Sequence, residues 1–215
     1  MKPKYFLFLC FSFLIFNSSL LIGTVRYVSK TGTNTPPYTS WQTAADSIQK
    51  CISICVNGDT VYVANGIYKE NLVINTAISL IGSSMDSTVI DGSQFQSPPI
   101  NSLIKFNVNF DLKYFTIIGI GQSFQMSGIV TVSAANLNLE SCKIYGFYEG
   151  LFLGNSSSIV KNCLFSFCKR AISDECPNNN CQGIYSNNII YSQNGGASPA
   201  IYFSYGGYPT FTIIL

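Results

Sequence analysis

Two sequence columns repeat side by side through the second half of this 215-residue chain, and their period leaves few folds open. Small-then-aliphatic pairs stand at Gly128-Ile129, Gly150-Leu151, Ala171-Ile172 and Ala200-Ile201, at intervals of 22, 21 and 29 residues. Leu103-Ile104 lies 25 residues before the first of them, in the same column. The second column runs Glu140-Ser-Cys142-Lys-Ile144, Lys161-Asn-Cys163-Leu-Phe165 and Ser186-Asn-Asn188-Ile-Ile190, at intervals of 21 and 25. The wider intervals coincide with insertions at Asp174 to Gln182 and Gly195 to Pro199. Short apolar runs rich in β-branched residues, such as Val61-Tyr62-Val63, Leu72-Val73-Ile74, Ile78 to Ile81 and Val89-Ile90, are each strand-length and each closed by a turn signal. A sandwich or barrel would also need many strands, but neither needs a fixed period of this length. The repeat therefore predicts a parallel β-solenoid, each strand pairing with its counterpart one coil on, about 4.8 Å away.

That reading orders the interior. Cys142 and Cys163 stack on successive coils, and Ile144 lies above Phe165 in the next inward position. A disulfide between the stacked cysteines is one reading, and a ladder of small buried side chains is the favoured one. Gly and Ala suit a crowded corner in the other column, and the asparagines near strand ends suit turn backbone. Ahead of the repeat, Trp41, Ala44, Ala45, Ile48, Cys51 or Ile52, and Cys55 recur every three or four residues. This spacing predicts a helix over 41–55, capped by Thr39 or Ser40 and stopped at Asn57-Gly58. It would lie over the first coil with Trp41, Ile48 and one or both cysteines facing down.

Lys2 and Lys4 precede the apolar run Tyr5 to Phe16, which Asn17-Ser18-Ser19 breaks, and this is the pattern of a signal peptide over residues 1–24. A membrane anchor would need about 20 predominantly apolar residues, so no membrane partner is expected after signal removal. The chain is expected to be secreted or held at the cell surface. Without Lys2 and Lys4 the 10 remaining basic residues balance 10 acidic ones, so no field favours nucleic acid. The absence of histidine removes Ser-His-Asp and Cys-His hydrolases and any histidine general base. No C-x2-C spacing is present, so neither a metal nor another cofactor is expected. Cys176 and Cys181, flanking Pro-Asn-Asn-Asn, form a candidate disulfide.

Arg26-Tyr-Val-Ser-Lys-Thr-Gly, Ser40-Trp-Gln-Thr-Ala and Asn57-Gly-Asp-Thr-Val-Tyr-Val-Ala-Asn-Gly-Ile-Tyr-Lys-Glu70 resemble the opening of right-handed parallel β-helix proteins of the pectin-lyase-like superfamily. The match is specific over 26–92 and a looser repeat likeness beyond. The resemblance implies an all-β right-handed parallel β-helix: an N-terminal strand and capping helix over 25–58, then coils over 59–215. Pectate lyases, polygalacturonases and pectin methylesterases share that fold, and the fold does not choose among them.

The residues speak against each chemistry. There is no Gly-His-Gly or paired Asp, and the aspartates are isolated rather than grouped around calcium. Against the methylesterase pattern, Ser127-Gly-Ile129 stands for Gln-Ala-Val and Tyr148-Glu-Gly150-Leu-Phe152 for Tyr-Gln-Asp-Thr-Leu. Lys169-Arg-Ala-Ile172 falls near Val-Asp-Phe-Ile-Phe-Gly. Gly150 thus replaces the first carboxylate, none occupies the second, and Glu149 should project to the opposite face. No catalytic residue is assigned. The chain reads as a non-catalytic module that binds polysaccharide or another surface partner, with Tyr145, Tyr148, Glu149, Lys169 and Arg170 as substrate-binding candidates and Tyr185 and Tyr191 on the same ridged surface. The alternative is the N-terminal part of a polysaccharide-degrading enzyme whose active residues lie beyond residue 215. The final run Phe211-Thr-Ile-Ile-Leu215 reads as a fresh, uncapped strand, with end-on self-association through 203–215 as its expected consequence.

Overall fold

The structure, a computed structural model, describes residues 23–95, 102–121, 125–131, 133–176, 181–191, 200–204 and 210–212. The first coil holds β1 (Val25–Val28), the helix α1 (Ile48–Ile52), β2 (Thr60–Val63) and β3 (Gly66–Tyr68). Five three-stranded coils follow. They are β4 (Leu72–Ile74), β5 (Ser79–Gly82) and β6 (Thr88–Asp91); β7 (Ser102–Phe106), β8 (Phe110–Lys113) and β9 (Thr116–Ile118); then β10 (Ser127–Thr131), β11 (Leu137–Glu140) and β12 (Lys143–Tyr145). The last two comprise β13 (Glu149–Gly154), β14 (Ile159–Lys161) and β15 (Leu164–Ser166), then β16 (Arg170–Glu175), β17 (Ile184–Ser186) and β18 (Ile189–Tyr191). The strands β19 (Ile201–Ser204) and β20 (Thr210–Thr212) begin another turn. All pairing is parallel and the strands sort into three sheets: β1-β2-β5-β8-β11-β14-β17-β20, β4-β7-β10-β13-β16-β19 and β3-β6-β9-β12-β15-β18. The solenoid read from the repeat is the observed fold.

Both sequence columns are interior ladders. Ile104, Ile129, Leu151, Ile172 and Ile201 pair in register along the second sheet. Ile144 pairs with Phe165 and Phe165 with Ile190 along the third. Cys142 and Cys163 are buried with free thiols, so they pack as small side chains. From the third coil to the sixth, the turn from the first sheet to the third passes through one left-handed residue, Tyr114, Ser141, Asn162 and Asn187 in succession. Asparagine side chains tie one coil to the next. Asn109 Oδ1 accepts from Asn136 N at 3.0 Å, and Asn136 Oδ1 accepts from Ser157 N at 2.8 Å. At the corner, a Cβ on Gly128 would sit 2.6 Å from the Gly150 carbonyl oxygen, so only glycine fits that approach.

The helix differs from expectation. It spans five residues, not 41–55, because residues 42–45 have spent their backbone groups elsewhere. Thr33 N and Asn34 N donate to the carbonyls of Gln42 and Ala44, and Ala45 bridges Val28 in parallel. Helix formation starts only after the Ser47 N-cap, where the Glu70 carboxylate also accepts from Ile48 N at 3.0 Å and Gln49 N at 2.8 Å. Ile48, Cys51 and Ile52 are buried against β1, β2 and β4. Trp41 does not face down: it is 47% exposed, its ring 4.6 Å from that of Tyr27. The Gly-Asp-Thr-Val phrase has a local explanation, since Asp59 accepts from Thr24 N, Val56 N and Arg26 Nε at 2.6, 3.1 and 2.9 Å. Of the expected signal segment over 1–24, residues 1–22 lie outside the described residues, as do 213–215. Among the described residues no helix is long and apolar enough to cross a membrane.

Candidate functional site

The outward-facing positions of the second sheet form two columns. Ser102, Ser127, Glu149 and Arg170 pair in register at the strand starts. One step along each strand, Lys105, Val130, Phe152, Ser173 and Tyr202 form the other. Simple alternation breaks between them. A Cβ on Gly150 would meet Phe165 Cδ1 at 3.0 Å and Ile144 Cγ2 at 3.3 Å, both core atoms, and Leu151 is also buried in the core. The pairing steps from Glu149↔Arg170 directly to Leu151↔Ile172, so two consecutive residues point inward. That bend sends the Glu149 side chain outward, as the sequence suggested.

Glu149 is well held there. Its Oε1 accepts from Ser173 Oγ at 2.9 Å and Arg170 Nη1 at 3.0 Å, and its Oε2 from Ser127 Oγ at 3.4 Å. Arg170 in turn lies over the Tyr202 ring with Cζ 5.0 Å from the centroid. Its Nε is buried and has no hydrogen-bond partner among the described residues. Beside the pair, Lys169 Nζ stands 4.4 Å from the Tyr148 ring centroid and 3.3 Å from its hydroxyl. Lys169 and Lys105 are exposed, and neither makes an ion pair among the described residues. Glu149 and Arg170 cancel, and Lys105 and Lys169 outnumber Glu175 at the far end of β16, so the face keeps a net positive character. An electropositive sheet face with rings beside its cations can take an anionic, ring-shaped ligand.

Four of the five binding candidates, Tyr148, Glu149, Lys169 and Arg170, come together on this face. Tyr145 does not. It lies at the end of β12 on the third sheet, 42% exposed, its ring 4.9 Å from Phe167. Tyr185, read as outward, is buried because it pairs in register with interior Val160. Its hydroxyl donates to Asp174 Oδ2 at 2.5 Å, while Asp174 Oδ1 is buried without a partner among the described residues. Burial pushes the Asp174 carboxyl above its usual range, against the pull of the Tyr185 hydrogen bond. Cys176 and Cys181 are bonded to each other, with Cα atoms 6.0 Å apart. Ser173 and Tyr202 were not singled out from sequence, and Ser127 entered only through the comparison with the esterase pattern. Their register with Glu149 and Arg170 was available in the repeat, but only the bend at Gly150 shows which of them share a face. A separate groove of about 390 Å³ runs along the first sheet past Ser79, Asp111, Asn138 and Ile159, away from this cluster.

No family model matches the chain, and no curated protein matches it. Solved structures do. A pectin methylesterase variant in complex with a hexasaccharide aligns with TM-score 0.55 at 14% identity, over 79% of this chain and 66% of that one. The pectin methylesterase from Aspergillus niger, in deglycosylated form, aligns with TM-score 0.55 at 15% identity, over 83% of this chain and 70% of that one. The fold shared with these structures is the parallel β-helix. The chain spans just under two thirds of the first of these structures. Within this β-helix, Gly150, which stands where the esterase pattern has its first Asp, points into the core rather than toward a ligand.

Proposed function

We propose that this chain is a non-catalytic polysaccharide-binding β-helix whose ligand lies across the outward face of β7, β10, β13 and β16, and that it works outside the cell. The observation that carries this reading is the coupled arrangement of Lys169 on Tyr148 and of Arg170 on Glu149 and Tyr202. It supplies ring faces for stacking against sugars and unpaired ammonium groups for sugar carboxylates, so the ligand class is a uronate-containing polymer such as pectin. The aligned esterases with bound hexasaccharides support a sugar polymer as ligand. Glu149 supports binding over catalysis: three donors, one of them a guanidinium, occupy a carboxylate that a nucleophile or general base would need free. Asp174 on β16 pairs in register with interior Leu153 and so faces away from Glu149, and Glu175, five positions from Arg170 and roughly 16 Å along the strand, is too far to pair with Glu149 across a scissile bond.

Calorimetric titration of the full chain with oligogalacturonate, fully methyl-esterified oligogalacturonate and a neutral cello-oligosaccharide tests this. Oligogalacturonate should bind best, and Lys169→Ala and Tyr148→Ala should each weaken it by about tenfold, as loss of one charge-assisted contact or one stacking ring predicts. Tyr145→Ala should leave it unchanged. Equal affinity for the neutral chain would overturn the ligand class. Demethylation, lyase or galacturonase turnover abolished by Glu149→Gln would overturn the non-catalytic reading.

A further inference from the structure

The five free cysteines among the described residues differ sharply in their surroundings. Cys142, Cys163 and Cys168 are buried in the solenoid, where each thiol turns back to the carbonyl two residues before it, at 3.3, 3.2 and 3.5 Å. Burial pushes their thiols up, to about 12 for Cys163 and about 11 for Cys168. Such thiols are poor nucleophiles. Cys51 and Cys55 are placed otherwise. Cys51 is one of three buried residues of α1, and Cys55 follows four positions later, after the C-cap Ser53, half-buried at the edge of the first coil. Two tight backbone bonds, Ile54 N to Cys51 O and Cys55 N to Ile52 O, wind the segment back on the helix end. Cys55 Sγ lies 3.3 Å from Cys51 O, and each thiol perturbs the titration of the other. The buried Arg26–Asp59 ion pair, held at 2.9 Å, acts on both thiols.

We propose that Cys51 and Cys55 form a redox-active dithiol that closes to a disulfide, tying the turn after α1 to the helix over the first coil. Cys55 Sγ folds back to 3.3 Å from the Cys51 carbonyl, Cys55 is only half-buried, and the four-residue spacing brings both cysteines to one side of the helix end. The oxidant is a disulfide, either glutathione disulfide or a protein dithiol oxidase. Cys55, as thiolate, attacks one sulfur of that disulfide and displaces its other half as a thiolate. The Cys51 thiol then gives its proton to the departing thiolate and attacks Cys55 Sγ, forming the internal S–S bond and releasing the second half. The two cysteines lose two electrons and two protons, and the oxidant becomes two thiols. The Cys51 hydrogen bond, helped by Arg26, holds the Cys55 thiol below its usual range, in keeping with its role as attacking group.

The chain makes the test clean. Lys50 and Lys69 bound a tryptic peptide, 51–69, that contains Cys51, Cys55 and no other cysteine, and peptide 162–169 contains Cys163 and Cys168. The native, reduced full-length chain is exposed to glutathione disulfide at neutral pH, quenched in acid, unfolded, alkylated and digested. Peptide 51–69 should appear unalkylated and two hydrogens lighter, while 162–169 carries two labels. In Cys51→Ala the same treatment should leave glutathione on Cys55. Two labels on 51–69, a persistent glutathione adduct on Cys55 of the unmutated chain, or oxidation of 162–169 at the same rate would each overturn the proposal.

Discussion

Asp59 in the first coil and Asp174 in the sixth are both buried carboxylates, and they are held in opposite ways. Asp59 receives two backbone N–H groups and the Arg26 guanidinium, and these outweigh burial and hold its carboxyl below the usual range. Asp174 receives one phenol hydroxyl and has no partner for its second oxygen among the described residues, and burial there wins. Burial alone therefore does not set a carboxylate's state in this solenoid. The number of donors does.

The largest effect should come from breaking the satisfied end. Asp59→Ala strands Arg26, itself 8% exposed, without its carboxylate and should cost about 3–5 kcal/mol. A denaturant titration should show a lower midpoint at unchanged slope, and a loss under about 1 kcal/mol would mean the pair is solvated. Glu70→Ala removes the acceptor for Ile48 N and Gln49 N and should cost about 1–2 kcal/mol in the same titration, while Glu70→Gln recovers part of it. At the other end the sign reverses. Asp174→Asn should stabilise the chain by about 1 kcal/mol near neutral pH and by nothing at pH 3. The pH dependence follows from the two directions. The stability that Asp59 contributes is present above about 3.9, its unfolded value, and lost as pH falls through its depressed folded value. That from Asp174 is present below about 3.9 and lost as pH rises through its raised folded value. Thermal midpoints of both variants between pH 3 and 8 should flatten opposite limbs of the profile. The smallest effect belongs to Trp41→Ala, within about 1 kcal/mol, because the ring rests on Tyr27 at the surface; emission of Trp41 should be that of a half-exposed indole.

The same contrast shows what was legible in the sequence. The Ile129, Leu151, Ile172 and Ile201 column is read directly from the repeat, because a solenoid turns a constant interval into a physical stack. Helical periodicity around Trp41 misled, because it counts side chains while the backbone of 42–45 was already committed to pairing with 27–35. Glu149 and Arg170 were legible as neighbours, one coil apart. Ser173 was not: it reaches Glu149 only because Gly150 and Leu151 both turn inward, a backbone bend with no period. Asp174 was read as part of an insertion, yet its own strand places it beside Leu153 in the interior.

The proposed site is the outward face of β7, β10, β13 and β16, with an anionic sugar chain as its ligand. A crystal structure of the chain with a galacturonic acid oligosaccharide tests it most directly. The account predicts a sugar ring stacked on Tyr148 or Tyr202, a uronate carboxylate on Lys169 Nζ, and the Glu149–Arg170 pair intact beneath it. A ligand seated instead in the groove past Ser79 and Asp111, or sugar hydroxyls displacing Arg170 from Glu149, would contradict it.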